Sequence, residues 1–388
     1  MQESSGSTLT QTPVEESKER MSEIVTTRRL NRSTLDRQLL LTRSPLGARS
    51  AVEHLVGMQA QVPTAPYVGL WSRCSSFTTD ELAEAISSGE MVRLAVMRGT
   101  LHLVTARDAL MLRPLAQQIM TRVLTTGSMY GKHLTEIDLD ELAEAGRALL
   151  EERPRTLADL RVALAERWPD VDPSSLAYGV HYLLPLVQLP PRGVWGKGGR
   201  AICTTAEKWI GRPLDARPSI DLMIIRYLGA FGPASIRDVQ AWCGLTRLKE
   251  RFDLLRNDLR VYRDENDVEL FDLPDATLVD EEAPAPPRFL PEFDNILYGY
   301  HDRTRVIPER HRAHVVRNLG RTTFLIDGFV AGEWSTSSEK SAAVLTIAPF
   351  EKLTPEDATA IGEEGERLLR FVREDATSFD VRIVDPIG

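Results

Sequence analysis

The chain predicts an α+β fold in which one local pattern, a group of helices closed by a β-hairpin, is used three times before a strand-rich ending. Three observations lead there. Apolar residues recur at helical spacing through most of residues 30–260, with capping residues where the runs begin. Each helical group is followed by two short alternating runs around turn-forming residues. Beyond a stiff proline stretch at residues 281–287, alternation at period two takes over.

The middle of the chain shows the unit most clearly. A helix is expected over 219–228, opened by Ser219 and ended by Gly229. Ser235 caps a second over 236–242, stopped by Gly244, and a third runs over 248–257. Two alternating runs, 260–263 and 268–273, then flank the turn-like Asp264, Glu265, Asn266 and Asp267. Three helices and a hairpin make a winged helix, an elaborated helix-turn-helix. Residues 216–280 are therefore read as the third such unit.

Residues 136–215 repeat the pattern. Helices are expected over 139–150, from Thr156 to about Trp168, and from Pro173 to about Leu184. Thr156 and Asp159 have the spacing of a capping box. Runs 186–189 and 200–204 flank a glycine-rich turn, 192–200. Residues 30–135 form the first unit, with helices at 33–41, 47–56, 66–73 and 79–86. Strands at 91–97 and 100–104 close it with a tight hairpin across Arg98 and Gly99. Residues 288–388 are read as a C-terminal α+β segment, with strands at 323–326, 328–334, 343–347 and 381–384 and a helix at 355–372. Residues 1–29, polar and rich in Ser, Thr and Glu, are expected to be a disordered tail without the marks of a secretion signal.

Composition excludes several classes. No run of eighteen apolar residues exists, so no spanning helix is expected. Cys74, Cys203 and Cys243 are odd in number and widely spaced, which suits reduced thiols in a cytoplasmic protein rather than zinc. The seven histidines show no metal-ligand spacing, and neither a phosphate-cradling loop nor a dinucleotide fingerprint occurs. No metal and no cofactor are expected. The net charge of −9 argues mildly against nucleic acid, unless a local basic stripe holds phosphate.

Such a stripe is present. From His301 to Arg321 six arginines face only Asp302 and Glu309, a local charge of about +4. Arg303, Arg305, Arg310 and Arg312 are its candidate DNA contacts. The same charges also suit a solvated face pairing with the acidic C-terminal helix. Arg98 and His102 in the first hairpin could grip phosphate in a shared groove, or could be a surface arginine and a packed histidine. Arg192, Lys197 and Arg200 around Trp195 form a candidate groove-contacting tip.

The candidate catalytic pair is Gln59 and Gln61, two neutral amides just before Pro63. They lie at a helix end or in an extended link, because Pro63 disfavours helix at Val62. If extended, both project from one face and could hold a water between a carbonyl acceptor and an amide donor. Neither can ionise, so such a pair suits only a substrate that is already activated. An N7-alkylated purine is one, since it carries positive charge and needs no general acid to leave, unlike an ordinary sugar. By spacing alone the plainer reading is that both amides satisfy backbone groups at a helix terminus.

Several motifs together resemble a known family. They are Gly57-Met58-Gln59-Ala60-Gln61-Val62-Pro63 with Pro66, Tyr67 and Trp71; Val92-Arg93; Met97-Arg98-Gly99-Thr100-Leu101-His102-Leu103-Val104; and Leu290-Pro291-Glu292-Phe293-Asp294 with Asp302-Arg303. The combination resembles the AlkZ-like tandem winged-helix DNA glycosylases, over about Leu30 to the C-terminus. That resemblance implies three winged helices around a channel for duplex DNA. It implies hydrolysis of N7-alkylpurine glycosidic bonds, including unhooking of interstrand crosslinks; no lysine sits beside the glutamine motif in sequence, so hydrolysis without a Schiff-base step is expected. The family's Gln-hydrophobic-Gln motif falls on Gln59, Ala60 and Gln61. Keeping Gln61, where a sister branch has Asp, implies the azinomycin-resistance branch. The implied partner is double-stranded DNA with N7-alkylpurine or crosslink lesions, bound by a monomer. The rival expectation is a non-catalytic winged-helix DNA-binding protein.

Overall fold

The computed structural model describes residues 23–339 and 342–387. The expected tail lies outside the described residues up to position 22, and its last part is structured. Strand β1 (Ile24–Val25) pairs in parallel with a strand of the third unit, and helix α1 (Thr27–Arg37) begins inside the expected tail. Burial of Val25 and Leu30 against Tyr262 and Leu270 holds this segment down, a long-range contact that local polarity hides.

The first unit continues with α2 (Ala48–His54), β2 (Met58–Gln59), α3 (Ala65–Arg73), α4 (Thr79–Ser88), β3 (Met91–Ala95) and β4 (Leu101–Thr105). The β3–β4 connection is longer than expected: Met97–Gly99 make a 3₁₀ turn, with Arg98 left-handed at φ +56° and Gly99 at φ +70°. Helix α5 (Ala106–Arg122) was not expected. Pro114 lies inside it, and an internal proline reads as a helix stop. Burial of Ala109, Leu112, Leu115 and Ile119 in the largest core cluster overrides that local signal.

The second unit has α6 (Leu139–Glu152), β5 (Arg155–Thr156), α7 (Leu157–Ala165), α8 (Pro173–Leu183), β6 (Leu186–Gln188), β7 (Ile202–Thr205) and α9 (Ala206–Ile210). Thr156 and Asp159 form the reciprocal capping box that their spacing predicts. The third has α10 (Ile220–Phe231), α11 (Ile236–Cys243), α12 (Lys249–Leu255), β8 (Arg260–Asp264) and β9 (Glu269–Asp272). Ser235 caps α11 and Gly244, at φ +86°, closes it.

The rest comprises β10 (Arg288–Leu290), α13 (Asn295–Tyr298), α14 (Glu309–Arg317), β11 (Thr323–Ile326), β12 (Phe329–Glu339), β13 (Ala342–Pro349), α15 (Pro355–Val372) and β14 (Ser378–Ile383). These strands form one five-stranded sheet in the order β10-β11-β12-β13-β14. Helix α15 makes the crossover that lets β14 run parallel to β13.

The chain is thus α+β, with helices closed by strand pairs three times over. The first two hairpins do not stand apart as separate wings. Arg93 and Leu94 of β3 pair with Gln188 and Val187 of β6, giving one six-stranded sheet in the order β2-β4-β3-β6-β7-β5. The glutamine segment forms one edge of that sheet.

Candidate active site

The site begins with a sharp exit from α2. Val56 and Gly57 are both left-handed, at φ +56° and +100°. A Cβ on Gly57 would lie 2.7 Å from Val104 Cγ1, so the close approach of β4 requires glycine there. The chain then runs extended: Met58 lies opposite Leu103, Gln59 opposite His102, and Ala60 N donates to Leu101 O at 2.8 Å. Of the two conformations open to the sequence, the extended one is present. The strand covers Met58–Gln59 and the chain bends at Gln61, so the two glutamine side chains are placed by their own hydrogen-bond partners rather than by strand alternation.

Both amides are oriented by donors. Arg98 Nη2 donates to Gln59 Oε1 at 2.7 Å, and the Leu101 backbone N–H donates to Gln61 Oε1 at 3.1 Å. Arginine and peptide nitrogens only donate, so each amide oxygen is identified by its partner. Each oxygen keeps one lone pair, and each NH₂ group remains a double donor. Gln59 is buried and Gln61 is exposed.

The support comes from four directions. Arg93 Nη2 donates to Ala60 O at 2.8 Å from behind the strand. Arg98 Nη1 donates to Trp242 O of α11 at 2.6 Å, and its guanidinium sits 5.2 Å above the Tyr298 ring. Asn295 Nδ2 donates to Gly57 O at 2.8 Å. Asp294 caps α13, which carries Asn295 and Tyr298, and both its carboxylate oxygens accept from Arg73 at 2.8 Å. Burial pushes the Arg93 and Arg98 guanidinium groups down to about 10, with Arg192 adding to the effect on Arg93. Tyr298, Trp242 and the Leu101 N–H are the partners that sequence reasoning missed. Asn295 and Tyr298 adjoin the Leu290–Asp294 motif, but no spacing shows where they reach.

The proposed DNA contacts divide into two groups. Arg98 turns inward to Gln59 and Trp242, which corrects its reading as a phosphate grip. His102 is buried, with Nδ1 2.8 Å from Thr100 O. Burial and the neighbouring Arg98 push its pKa down to about 3, so it stays neutral and faces no groove. Trp195 packs on Tyr67 and Phe371, with ring centroids 4.9 and 5.7 Å away, and is not a free tip. Arg305 is buried, donating to Pro233 O at 2.8 Å and lying 4.2 Å over the Tyr300 ring. For Arg98, Trp195 and Arg305 a long-range partner claims a side chain that looks superficial in sequence.

The remaining candidates reach the surface. Lys197 and Arg200 are exposed, the latter 3.1 Å from Thr156 Oγ1. Arg192 is half-buried and donates to Gly199 O at 3.0 Å. Arg303 is half-buried against Leu297 O at 2.7 Å. Arg310 pairs with Glu351 at 2.5 Å, while Arg312 is exposed with Glu309 at 3.4 Å. Arg321 pairs with Glu333 at 2.7 Å. The basic stripe is thus partly neutralised, from β12 and the segment before α15 rather than from α15 itself.

Comparison with known proteins gives this geometry a context. The chain is 26% identical over 368 residues to the interstrand DNA cross-link repair glycosylase of Streptomyces sahachiroi, covering 87% of this chain and 94% of that protein. Its fold matches the solved structure of the Streptomyces sahachiroi DNA glycosylase AlkZ with a TM-score of 0.75 at 22% identity, over 93% of this chain and all of that one. The sequence model of the DNA glycosylase AlkZ-like family matches residues 52–371, most of the chain. The protein belongs to the AlkZ-like family of DNA glycosylases.

Proposed function

We propose that this DNA glycosylase hydrolyses the N-glycosidic bond of N7-alkylated purines in duplex DNA, including the linked purines of an interstrand crosslink. The carrying observation is the pair of amides held by their oxygens, Gln59 by Arg98 and Gln61 by the Leu101 N–H. A water bound between them accepts from Gln59 Nε2 and donates to the remaining lone pair of Gln61 Oε1. Its second lone pair is left to attack the sugar. An N7-alkylpurine leaves as a neutral base when the C1′–N9 bond breaks, so no group need protonate it, and the proton of the water that forms the new C1′–O bond passes to solvent, since neither amide can hold it. The carbonyl dipole of exposed Gln61 also faces the positive charge developing on the sugar. Asp294, which could otherwise serve as an acid or base, is engaged by Arg73.

A sheet edge that leads to the exposed Gln61 suits crosslinked bases, which cannot swing into a snug pocket. The crosslink-repair relative supports that substrate class. Self-resistance to a genotoxic alkylating natural product is the biological role proposed with it. The enzyme acts as a monomer in this reading, with Lys197, Arg200 and Arg312 as exposed cations along the duplex.

The test is incubation with duplex DNA carrying N7-methylguanine, and with an N7–N7 crosslinked duplex. Release of free modified base, an abasic site and conversion of crosslinked DNA to separable strands are the expected results. Binding without base release from either substrate would leave a DNA-binding protein and overturn the reading.

A further inference from the structure

We propose that Arg98 is a positioning residue, which fixes the Gln59 amide as a hydrogen-bond donor toward substrate. The assignment rests on the glycosylase reading above and names a residue on which that reading's chemistry depends.

The backbone is the first indication. Arg98 is left-handed at φ +56° and ψ +12°. For a residue with a Cβ this costs about 1–2 kcal/mol, and such strain persists where the surroundings over-determine it. Glycine would avoid the cost, and Gly99 stands next door. The turn is also held from outside: a Cβ on Gly244, the glycine that closes α11, would lie 3.0 Å from Arg98 Cα.

The side chain gives the second. Its two terminal nitrogens go to Gln59 Oε1 and Trp242 O, and its face lies on Tyr298. Among the described residues no carboxylate pairs with it, although arginine–carboxylate pairs are frequent elsewhere in the chain. A guanidinium largely removed from water without an acid is poor structural material. What the arrangement does achieve is local. The cation draws electron density toward Gln59 Oε1, strengthens the Nε2 hydrogens as donors, and forbids the flipped amide, which would set NH₂ against guanidinium. Trp242 O and the Tyr298 ring keep the cation from leaving. Gln59, and with it the donor to the attacking water, is thereby set by groups on α11 and α13 as well as by its own strand.

Arg98→Gly tests this directly, because glycine suits the left-handed backbone. Single-turnover base release from N7-methylguanine duplex is expected to fall roughly a hundredfold, the scale of a misplaced catalytic group, with affinity for the lesion duplex within about twofold. Guanidinium ion at millimolar concentration should restore part of the rate in Arg98→Gly and none in Gln59→Ala. In a Gln59→Ala background, Arg98→Gly should add little further loss. Arg98→Lys, which keeps charge and most of the buried stem, is the second variant should the glycine protein fail to fold. It reaches only one of the two acceptors, and its rate should fall about tenfold with thermal stability retained.

Wild-type rates in both variants would overturn the assignment while leaving the glycosylase reading intact. So would a loss of affinity that matches the loss of rate, which would make Arg98 a phosphate contact. A full additional loss in the Gln59→Ala background would show that Arg98 acts independently of Gln59. A wild-type enzyme that releases no base from this substrate would instead overturn the substrate reading, and this assignment with it.

Discussion

Replacing Asp294 by asparagine should destabilise the protein by about 3–5 kcal/mol, the cost of leaving a buried charge without its partner. Asp294 and Arg73 are both fully buried, and the two carboxylate oxygens each accept a guanidinium nitrogen at 2.8 Å. Asparagine keeps the α13 cap, since its carbonyl can still accept from Ile296 N, which now reaches Asp294 Oδ1 at 3.1 Å. What it cannot do is neutralise Arg73, and its NH₂ group meets a donor where an acceptor stood. Arg73 has no nearby relief: Nη1 already donates to Gly69 O, and Nε is buried without a partner among the described residues. Equilibrium urea unfolding, followed by fluorescence and far-UV circular dichroism, measures the loss. Removing both charges, as Arg73→Met with Asp294→Leu, should recover most of it, because a well-packed apolar pair replaces an ion pair at little cost. A loss below about 1 kcal/mol for Asp294→Asn would refute the view that this pair is desolvated and anchors α13 beneath the site.

Two further predictions concern the strand itself. Ala60 is fully buried between the glutamines, so Ala60→Leu should overpack that side by about 1–3 kcal/mol and slow base release; unfolding and single-turnover rates check both. His102 is neutral in the fold, its pKa lowered from 6.5 to about 3 by burial and by Arg98. The unfolded chain therefore takes up the proton first. The stability tied to the neutral ring is complete above about pH 6.5 and is lost as pH falls toward 3. At pH 5 the loss is about 2 kcal/mol. His102→Phe should accordingly be less sensitive than wild type between pH 7 and 5 in urea unfolding. An unchanged pH dependence would show that the ring is not held neutral.

The helices and hairpins were largely legible because their signals are local. Thr156 with Asp159, Ser235 and Gly244 act through neighbours within a turn, and they stand where the spacing predicts. Signals that run against the local pattern were not legible. Pro114 disguised α5, the prolines before Arg288 disguised β10, and a polar context disguised β1. The joining of β3 to β6 depends on two units meeting and leaves no mark on either strand. At the site, the extended glutamine segment was one of two conformations that Pro63 permits. A packed His102 was one of two readings open to the sequence, whereas the inward turn of Arg98 and Arg305 was invisible for a physical reason. Arginine looks superficial in a linear sequence, and only a distant carbonyl, such as Trp242 O or Pro233 O, shows that it is buried.

In the proposed reaction two oriented neutral amides carry the hydrolysis. The most direct measurement is single-turnover release of N7-methylguanine from duplex DNA by wild type, Gln59→Ala, Gln61→Ala and the double variant. Each single change should lower the rate roughly a hundred- to a thousandfold, as expected for a lost preorganised hydrogen-bonding group, with folding and DNA affinity retained. The double variant should be little slower than the slower single one, because the two amides act on one water. Wild-type rates in both single variants would show that the glutamine pair does not carry the reaction.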